Sequence, residues 1–206
     1  VARVPDGMSL TIAGVLNVAG RTAVASVRSQ QVTARDVVLV GGAAGGVGIL
    51  TAQLARIGGA RVLGTASTAN HPLLRRLGVE PIAHGPGLVD RLRAAAPDGI
   101  SAVFDTVGHG TVDAALRLGV MAHRINTIAD YDALATHAVR GVGGADAGTA
   151  ELAELADLIV RGDVEVPIDS RYPLERVRDA YARSVTGRAV GKIVVIADES
   201  SADLDA

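Results

Sequence analysis

The chain has 206 residues, a formal net charge of −2 and no cysteine. Its length suits one large domain or a domain with an appendage, and 49% apolar residues are enough to fill a core. The charge gives no electrostatic reason to expect nucleic acid or a membrane as partner, and the missing cysteines exclude disulfides, thiolate zinc sites and a cysteine nucleophile. Aromatic residues are confined to Phe104, Tyr131, Tyr172 and Tyr181, too few for a base-stacking platform. No uninterrupted apolar run reads as long enough to cross a bilayer, and no signal peptide is visible, so the expected compartment is the cytoplasm.

In chain order, Val4-Pro5-Asp6-Gly7 is a turn and Ser9 caps a helix expected to run through residue 18. A second helix is expected over residues 21–27, with Gly20-Arg21-Thr22-Ala23 between the two. Arg35-Asp36 leads into Val37-Val38-Leu39-Val40, a β-branched run too short for a helix and therefore a buried strand. The glycine-rich turn Gly41 to Gly48 follows. Val47, Leu50, Leu54 and Ile57 then recur at helical spacing, and Gly58-Gly59 ends that helix. Residues 61–65 read as a second strand.

Further on, residues 71–77 form a short helix closed by Gly78, and residues 80–83 a short strand. A helix lies within 86–96 and a buried strand at 102–105, followed by Thr106-Val107-Gly108. Residues 113–118 are helical, and strands are expected at 123–128 and 137–142. After a glycine-rich break at 141–148, residues 150–161 form an amphipathic helix with Leu152, Leu155, Ile159 and Val160 on one face and Glu151, Glu154 and Asp157 opposite. A turn at Gly162-Asp163 leads into 164–168. A helix is expected from Pro173 through Ser184 and a closing strand over 190–196. The tail from Asp198 is acidic and expected to fray.

Strands alternating with helices imply an α/β fold, a doubly wound parallel sheet of the Rossmann type covered on both faces. Strand, glycine turn, helix and strand over residues 37–65 make the βαβ unit that seats a pyrophosphate on a helix N-terminus. Against G-x-G-x-x-G the first position is Ala43, so the match reads A-x-G-x-x-G through Gly45 and Gly48. Its weight comes from its placement between a buried strand and an amphipathic helix; alone, it is a tight turn available to any doubly wound sheet. Ligands of such sheets bind beyond the carboxyl ends of the strands, which puts Gly45, Ser67, Val107, Gly108, Thr127 and Ile128 along one rim.

NAD binders usually carry an acid about 20 residues on, at the end of the second strand, to bond the ribose 2′-hydroxyl. Here Thr65 to His71 contains none, which permits a 2′-phosphate. Ser67, Thr68 and Asn70 can donate to it, and His71, Arg75 or Arg76 can supply charge. Ser67 to Asn70 equally reads as an N-cap of the next helix.

Taken together, Val4-Pro-Asp-Gly-Met8, Gly20-x-Thr22-Ala23, Gly42-Ala-Ala-Gly-Gly-Val-Gly48, Phe104-Asp-Thr-Val-Gly108 and Gly191-Lys-Ile-Val-Val195 resemble the medium-chain dehydrogenases/reductases, nearest to their zinc-free, quinone-oxidoreductase-like branch. The resemblance implies a missing amino-terminal, barrel-like catalytic domain, consistent with a first residue Val1 that is not Met. It divides the chain into a helical lead-in at 1–30, a dinucleotide-binding domain at 31–165, and a segment at 166–206 that would return to the catalytic domain. It implies Gly45, Gly46 and Val47 at the pyrophosphate, Ser67 and Asn70 at the adenosine phosphate, and Val107, Thr127, Ile128 and Thr22 on the nicotinamide side. His71 stands where relatives often carry a lysine near the 2′-phosphate. Lys192, the only lysine, matches a basic position that reaches cofactor phosphate; without the resemblance it is equally a solvated edge-strand lysine. The implied activity is NADP(H)-dependent hydride transfer to a small quinone, enone or carbonyl substrate, in a homodimer paired through the strand at 137–142. The fragment alone is expected to be inactive.

Other chemistries fit less well. His71, His84, His109, His123 and His137 are scattered without metal-ligand spacing, so no metal site is expected. Asp105 ends a buried strand, where an aspartate more often bonds nearby backbone than acts as an acid. No Tyr-x-x-x-Lys pair or G-x-S-x-G elbow is present. Catalytic residues are therefore not assigned. A non-catalytic NADP(H)-binding or oligomerisation module remains as an alternative, and an S-adenosylmethionine-dependent transferase as a weaker one.

Overall fold

The computed structural model describes residues 3–108 and 110–197, so His109 and the acidic tail from Asp198 lie outside the described residues. A six-stranded parallel sheet runs in the order β3-β2-β1-β4-β5-β6. Its strands are β1 (Val37–Gly41), β2 (Arg61–Ala66), β3 (Glu80–Ala83), β4 (Ala102–Asp105), β5 (Ile125–Thr127) and β6 (Arg140–Gly141). The order reverses between β1 and β4, which makes their carboxyl ends the topological switch point.

Alternation along β1 sorts the two faces of the core. Val38 and Val40 join Val62 and Phe104 on one face, with Ala52 and Ala55 of α2 (Gly48–Ile57) and Leu74 of α3 (His71–Arg76). Leu39 faces the other way with Leu63, Val103 and Ile125. It packs against Leu92 of α4 (Leu88–Ala95), Val112 and Ala115 of α5 (Thr111–Arg117) and Ala133 of α6 (Tyr131–Thr136). A third cluster joins α2 to α1 (Leu10–Gln30) and α7 (Thr149–Val160) through Leu16, Ala23, Leu50 and Leu155.

Several expectations are corrected here. The two helices expected before residue 28 are one helix of 21 residues, capped by the Ser9 hydroxyl accepting from Ile12 N–H at 3.2 Å. Gly20 does not break it. A Cβ there would come within 2.8 Å of Leu155 Cδ2, so the glycine is where α7 approaches closely. Joined, the helix reaches a mean hydropathy of 1.4 over its most apolar stretch, long and apolar enough to cross a membrane, contrary to the reading of the broken run. In the structure its buried side packs on α2 and α7. The strand expected at 123–128 shortens to β5 behind a 3-10 turn at Ala122–Arg124, and that at 137–142 to the two residues of β6. Helix α6 was not anticipated; Asp130 starts it by accepting from Ala133 N–H at 2.9 Å. Val160 is exposed and does not share the buried face of Leu155.

The closing strand does not join the main sheet. β8 (Lys192–Ile196) pairs in parallel with β7 (Ile168–Pro173), which starts at the end of the stretch 164–168, to make a separate two-stranded ribbon. The helix between them, α8 (Val177–Val185), follows a 3-10 turn at Leu174–Arg176. Asp169 holds this unit together. Its carboxylate accepts from Arg183 Nε at 2.7 Å and Nη2 at 2.5 Å, and from Val190 N–H at 3.0 Å. The Arg183 guanidinium, against the opposing effect of burial, pulls the Asp169 carboxyl down from the usual 3.8 to about 2.

A depressed carboxyl pKa stabilises the fold above its unfolded value and loses that contribution as pH falls through its folded value. The Asp169 interaction, worth about 2 kcal/mol by linkage, should therefore disappear between about pH 4 and pH 2. Asp169→Asn should show a stability loss near this size at pH 7 in urea unfolding, and little difference from the parent below pH 2. An equal difference at both pH values would overturn the assignment.

Candidate functional site

At the end of β1 the chain turns on Gly42, whose N–H donates to the Thr65 hydroxyl at 2.9 Å, while Ala43 N–H donates to the Thr65 carbonyl at 2.9 Å. Thr65, buried on β2, thus pins the start of the glycine loop. Ala43 is wholly buried where the usual pattern has glycine. Its methyl fits because β2 carries Gly64 beside it; a Cβ on Gly64 would fall 2.7 Å from the Ala43 Cβ. Gly48 opens α2 directly over the loop, and a Cβ there would lie 2.2 Å from the Gly42 carbonyl oxygen. No residue but glycine fits.

The N–H groups of Gly46 and Val47 have no acceptor among the described residues. They sit at the N-terminal end of a ten-residue helix, where donors are unpaired and the dipole favours an anion.

The ribbon completes the site. Gly45 and Gly191 form a parallel bridge, and Gly191 N–H donates to the Ala44 carbonyl at 2.9 Å. Gly191 sits at φ 70° with the Pro167 carbonyl oxygen 2.1 Å from where a Cβ would be, so this docking point also requires glycine. The next residue, Lys192, lies over the loop: a Cβ on Gly46 would be 2.8 Å from its Cδ and 3.4 Å from its Nζ. Lys192 is half-buried rather than a solvated edge residue, and burial lowers its pKa. Gly45, Gly46, Val47, Thr106, Ser184, Ala189 and Lys192 are among the residues lining a cavity of about 360 Å³. Sequence reading named Gly45, Gly46, Val47 and Lys192 but missed Thr106, Ser184 and Ala189. Thr106 was legible inside the Phe104 to Gly108 motif, and its hydroxyl donates to the Gly41 carbonyl at 2.6 Å. Ser184 and Ala189 carry no local signal.

Beyond the switch point, Asp105 organises the rim. Its buried carboxylate accepts from Val107 N–H at 3.2 Å, Gly108 N–H at 2.9 Å and the Thr127 hydroxyl at 2.6 Å. The Thr127 oxygen in turn accepts from Ala129 and Asp130 N–H, and Ile128 N–H donates to the Asp105 carbonyl at 3.0 Å. One side chain thus ties the loop after β4, with exposed Val107, to the loop after β5, with Ile128. Thr22 is elsewhere. It is buried on α1, donates to the Val18 carbonyl at 2.8 Å, and does not line the cavity.

At the end of β2, Ser67 is exposed, and neither its side chain nor that of Asn70 caps the following helical turns. Both stay available to a ligand. His71 opens α3 with Nε2 enclosed and unpartnered among the described residues. Arg76, one candidate charge for a phosphate here, is engaged elsewhere: its guanidinium makes a two-pronged ion pair with Glu165, including an Nη2 to Oε1 bond of 2.9 Å. That pairing, against the opposing effect of burial, lowers the Glu165 pKa. Arg75 remains exposed and unpaired among the described residues.

Comparisons with known proteins bear on this geometry. Residues 77–195, more than half of the chain, match the family described as zinc-binding dehydrogenase. The chain belongs to that family, within the medium-chain dehydrogenases/reductases, and consists of the nucleotide-binding and carboxyl-terminal part. A 2-methylene-furan-3-one reductase of Solanum lycopersicum is 30% identical over 203 residues, covering 95% of this chain and 49% of that protein. The quinone oxidoreductase of Coxiella burnetii superposes with a TM-score of 0.81 at 27% identity, covering 94% of this chain and 62% of that one. A mycobacterial protein, Rv1454c, solved in complex with NADPH, gives 0.80 at 25% identity, covering 95% and 67%. The chain therefore spans about half the length of the curated reductase it matches.

The residues present fit a dinucleotide: two unsatisfied N–H groups, a lysine and a cavity meet at one helix end. They do not fit a zinc ion, since among the described residues no three His, Asp or Glu side chains gather where a metal could bind. Asp105→Ala should cost roughly 3 kcal/mol, because it strands two N–H groups and a hydroxyl inside the fold. Chemical denaturation would measure it, and a loss under 1 kcal/mol (about one ordinary hydrogen bond) would show that the two rim loops hold without it.

Proposed function

We propose that this chain is the NADP(H)-binding part of a zinc-independent oxidoreductase that reduces a quinone, enone or carbonyl substrate. The observation that carries the reading is the convergence of the N–H groups of Gly46 and Val47 with the amine of Lys192, all without partners among the described residues, in one cavity at the switch point. Gly45, Gly46, Val47 and Lys192 would hold the pyrophosphate. Ser67, Asn70 and His71 would receive the 2′-phosphate at the end of β2, where no carboxylate repels it. Val107, Thr127 and Ile128 would form one wall beside the nicotinamide, set in place through Asp105. Thr22 is kept on the nicotinamide side by resemblance alone. When bound, NADPH supplies the hydride. The NADPH complex of the mycobacterial neighbour and the reductase and quinone oxidoreductase relatives support this reading.

Calorimetry with both cofactors tests it. NADPH should bind at least about tenfold more tightly than NADH, since one charge-assisted hydrogen bond contributes about 1.5–3 kcal/mol. Gly45→Val should abolish binding while leaving the circular-dichroism spectrum intact: the nearest atom to an added Cβ is the Gly42 oxygen at 3.3 Å, and Gly45 is not in the left-handed region. Hydride transfer needs a site walled against water, and this rim supplies one side of it. The chain alone should therefore oxidise NADPH slowly or not at all with 1,4-benzoquinone or an enone, while a longer form carrying the barrel-like domain should turn over. Equal affinity for NADH would refute the cofactor choice, and a longer form that binds but never turns over would favour the non-catalytic module.

We also propose a homodimer paired across β6. This strand ends the sheet, and both of its residues are exposed. Light scattering at micromolar concentration should give twice the chain mass; a monomer would contradict the pairing.

A further inference from the structure

Lys192 is the only lysine of the chain, and it is poorly placed for a charge. Its side chain is half-buried, with Nζ close over Gly46. Among the described residues its amine makes no ion pair and no hydrogen bond. The N-terminal end of α2, which Gly46 leads into, disfavours an ammonium. Burial lowers its pKa, so a larger share of the amine is neutral than for a solvated lysine. A neutral lysine amine is a nucleophile.

The same cavity holds the free N–H groups of Gly46 and Val47, donors suited to phosphoryl oxygens. In an acyl phosphate the reactive carbonyl carbon is one bridging oxygen from phosphorus. A phosphoryl group seated on the loop would thus bring that carbon to the amine. We propose that Lys192 is an acylation site for small acyl phosphates that enter this cavity. The neutral Nζ attacks the carbonyl carbon and a C–N bond forms. The bond from that carbon to the bridging oxygen breaks, and phosphate leaves with its electron pair. The proton lost from nitrogen goes to the departing phosphate, and nothing is oxidised or reduced.

The product is a neutral amide where the cavity had its cation. The consequence for cofactor binding rests on reading the cavity as the dinucleotide site; the acylation itself does not.

The test incubates the 206-residue chain with acetyl phosphate beside a free lysine amide in the same solution, then maps acetylated peptides by mass spectrometry. Lys192 should be acetylated several-fold faster than the free amide, and both inorganic phosphate and NADPH should slow it. Lys192→Gln, a neutral mimic, should lose NADPH affinity to the same extent as acetylated protein. Acetylation of Lys192 no faster than the free amide overturns the proposal. Fast acetylation unaffected by NADPH supports the reactive site and instead overturns the reading of the cavity as the dinucleotide site.

Discussion

The close approach of α2 to the end of β1 is the constraint on which the site depends. Gly48 sits over the Gly42 carbonyl with no space for a methyl group. That contact sets the first turn of α2 beside the glycine loop and leaves the N–H groups of Gly46 and Val47 without acceptors among the described residues. A bulkier residue would push the helix away from the sheet and disperse the donors. The departure at Ala43 does not weaken this arrangement, because Gly64 on the neighbouring strand makes room for it.

Around this loop the protein uses two other tethers of different chemistry. On the sheet side, Asp105 gathers backbone N–H groups from one loop and a hydroxyl from the next, so that the rims after β4 and β5 are tied together. On the carboxyl-terminal side, Gly191 hydrogen-bonds the loop itself and delivers Lys192 over it. The ribbon's own integrity comes from Asp169 and Arg183, a nearly buried carboxylate and a partly exposed guanidinium.

Charge is distributed in keeping with these roles. Arg76 is paired with Glu165, whose N–H donates to the Gln53 side-chain oxygen at 2.8 Å, so it braces the segment before β7 against α2 and α3. At the opposite end of the sheet Arg124 links Asp36 and the Gln30 and Ser101 carbonyls. Lys192 alone among these cations has no partner among the described residues, and it is the one that faces the cavity.

The sequence by itself determined the βαβ unit, the parallel sheet and the glycine-rich loop between β1 and α2. These depend on short-range relations: a β-branched run, glycines at fixed offsets, and apolar residues at helical spacing. The capping role of Asp130 was legible in the same way and was missed. Tertiary structure decided the rest, because the deciding atoms are far apart in sequence. Gly20 reads as a break until Leu155 is packed on it. Arg76 reads as a phosphate ligand until Glu165 is beside it. Without the family resemblance, Lys192 reads equally as a solvated edge residue until Gly191 binds Ala44 and carries it over Gly46. Local pattern fixes where backbone donors point, but which cations remain free to meet an anion depends on how distant segments pair.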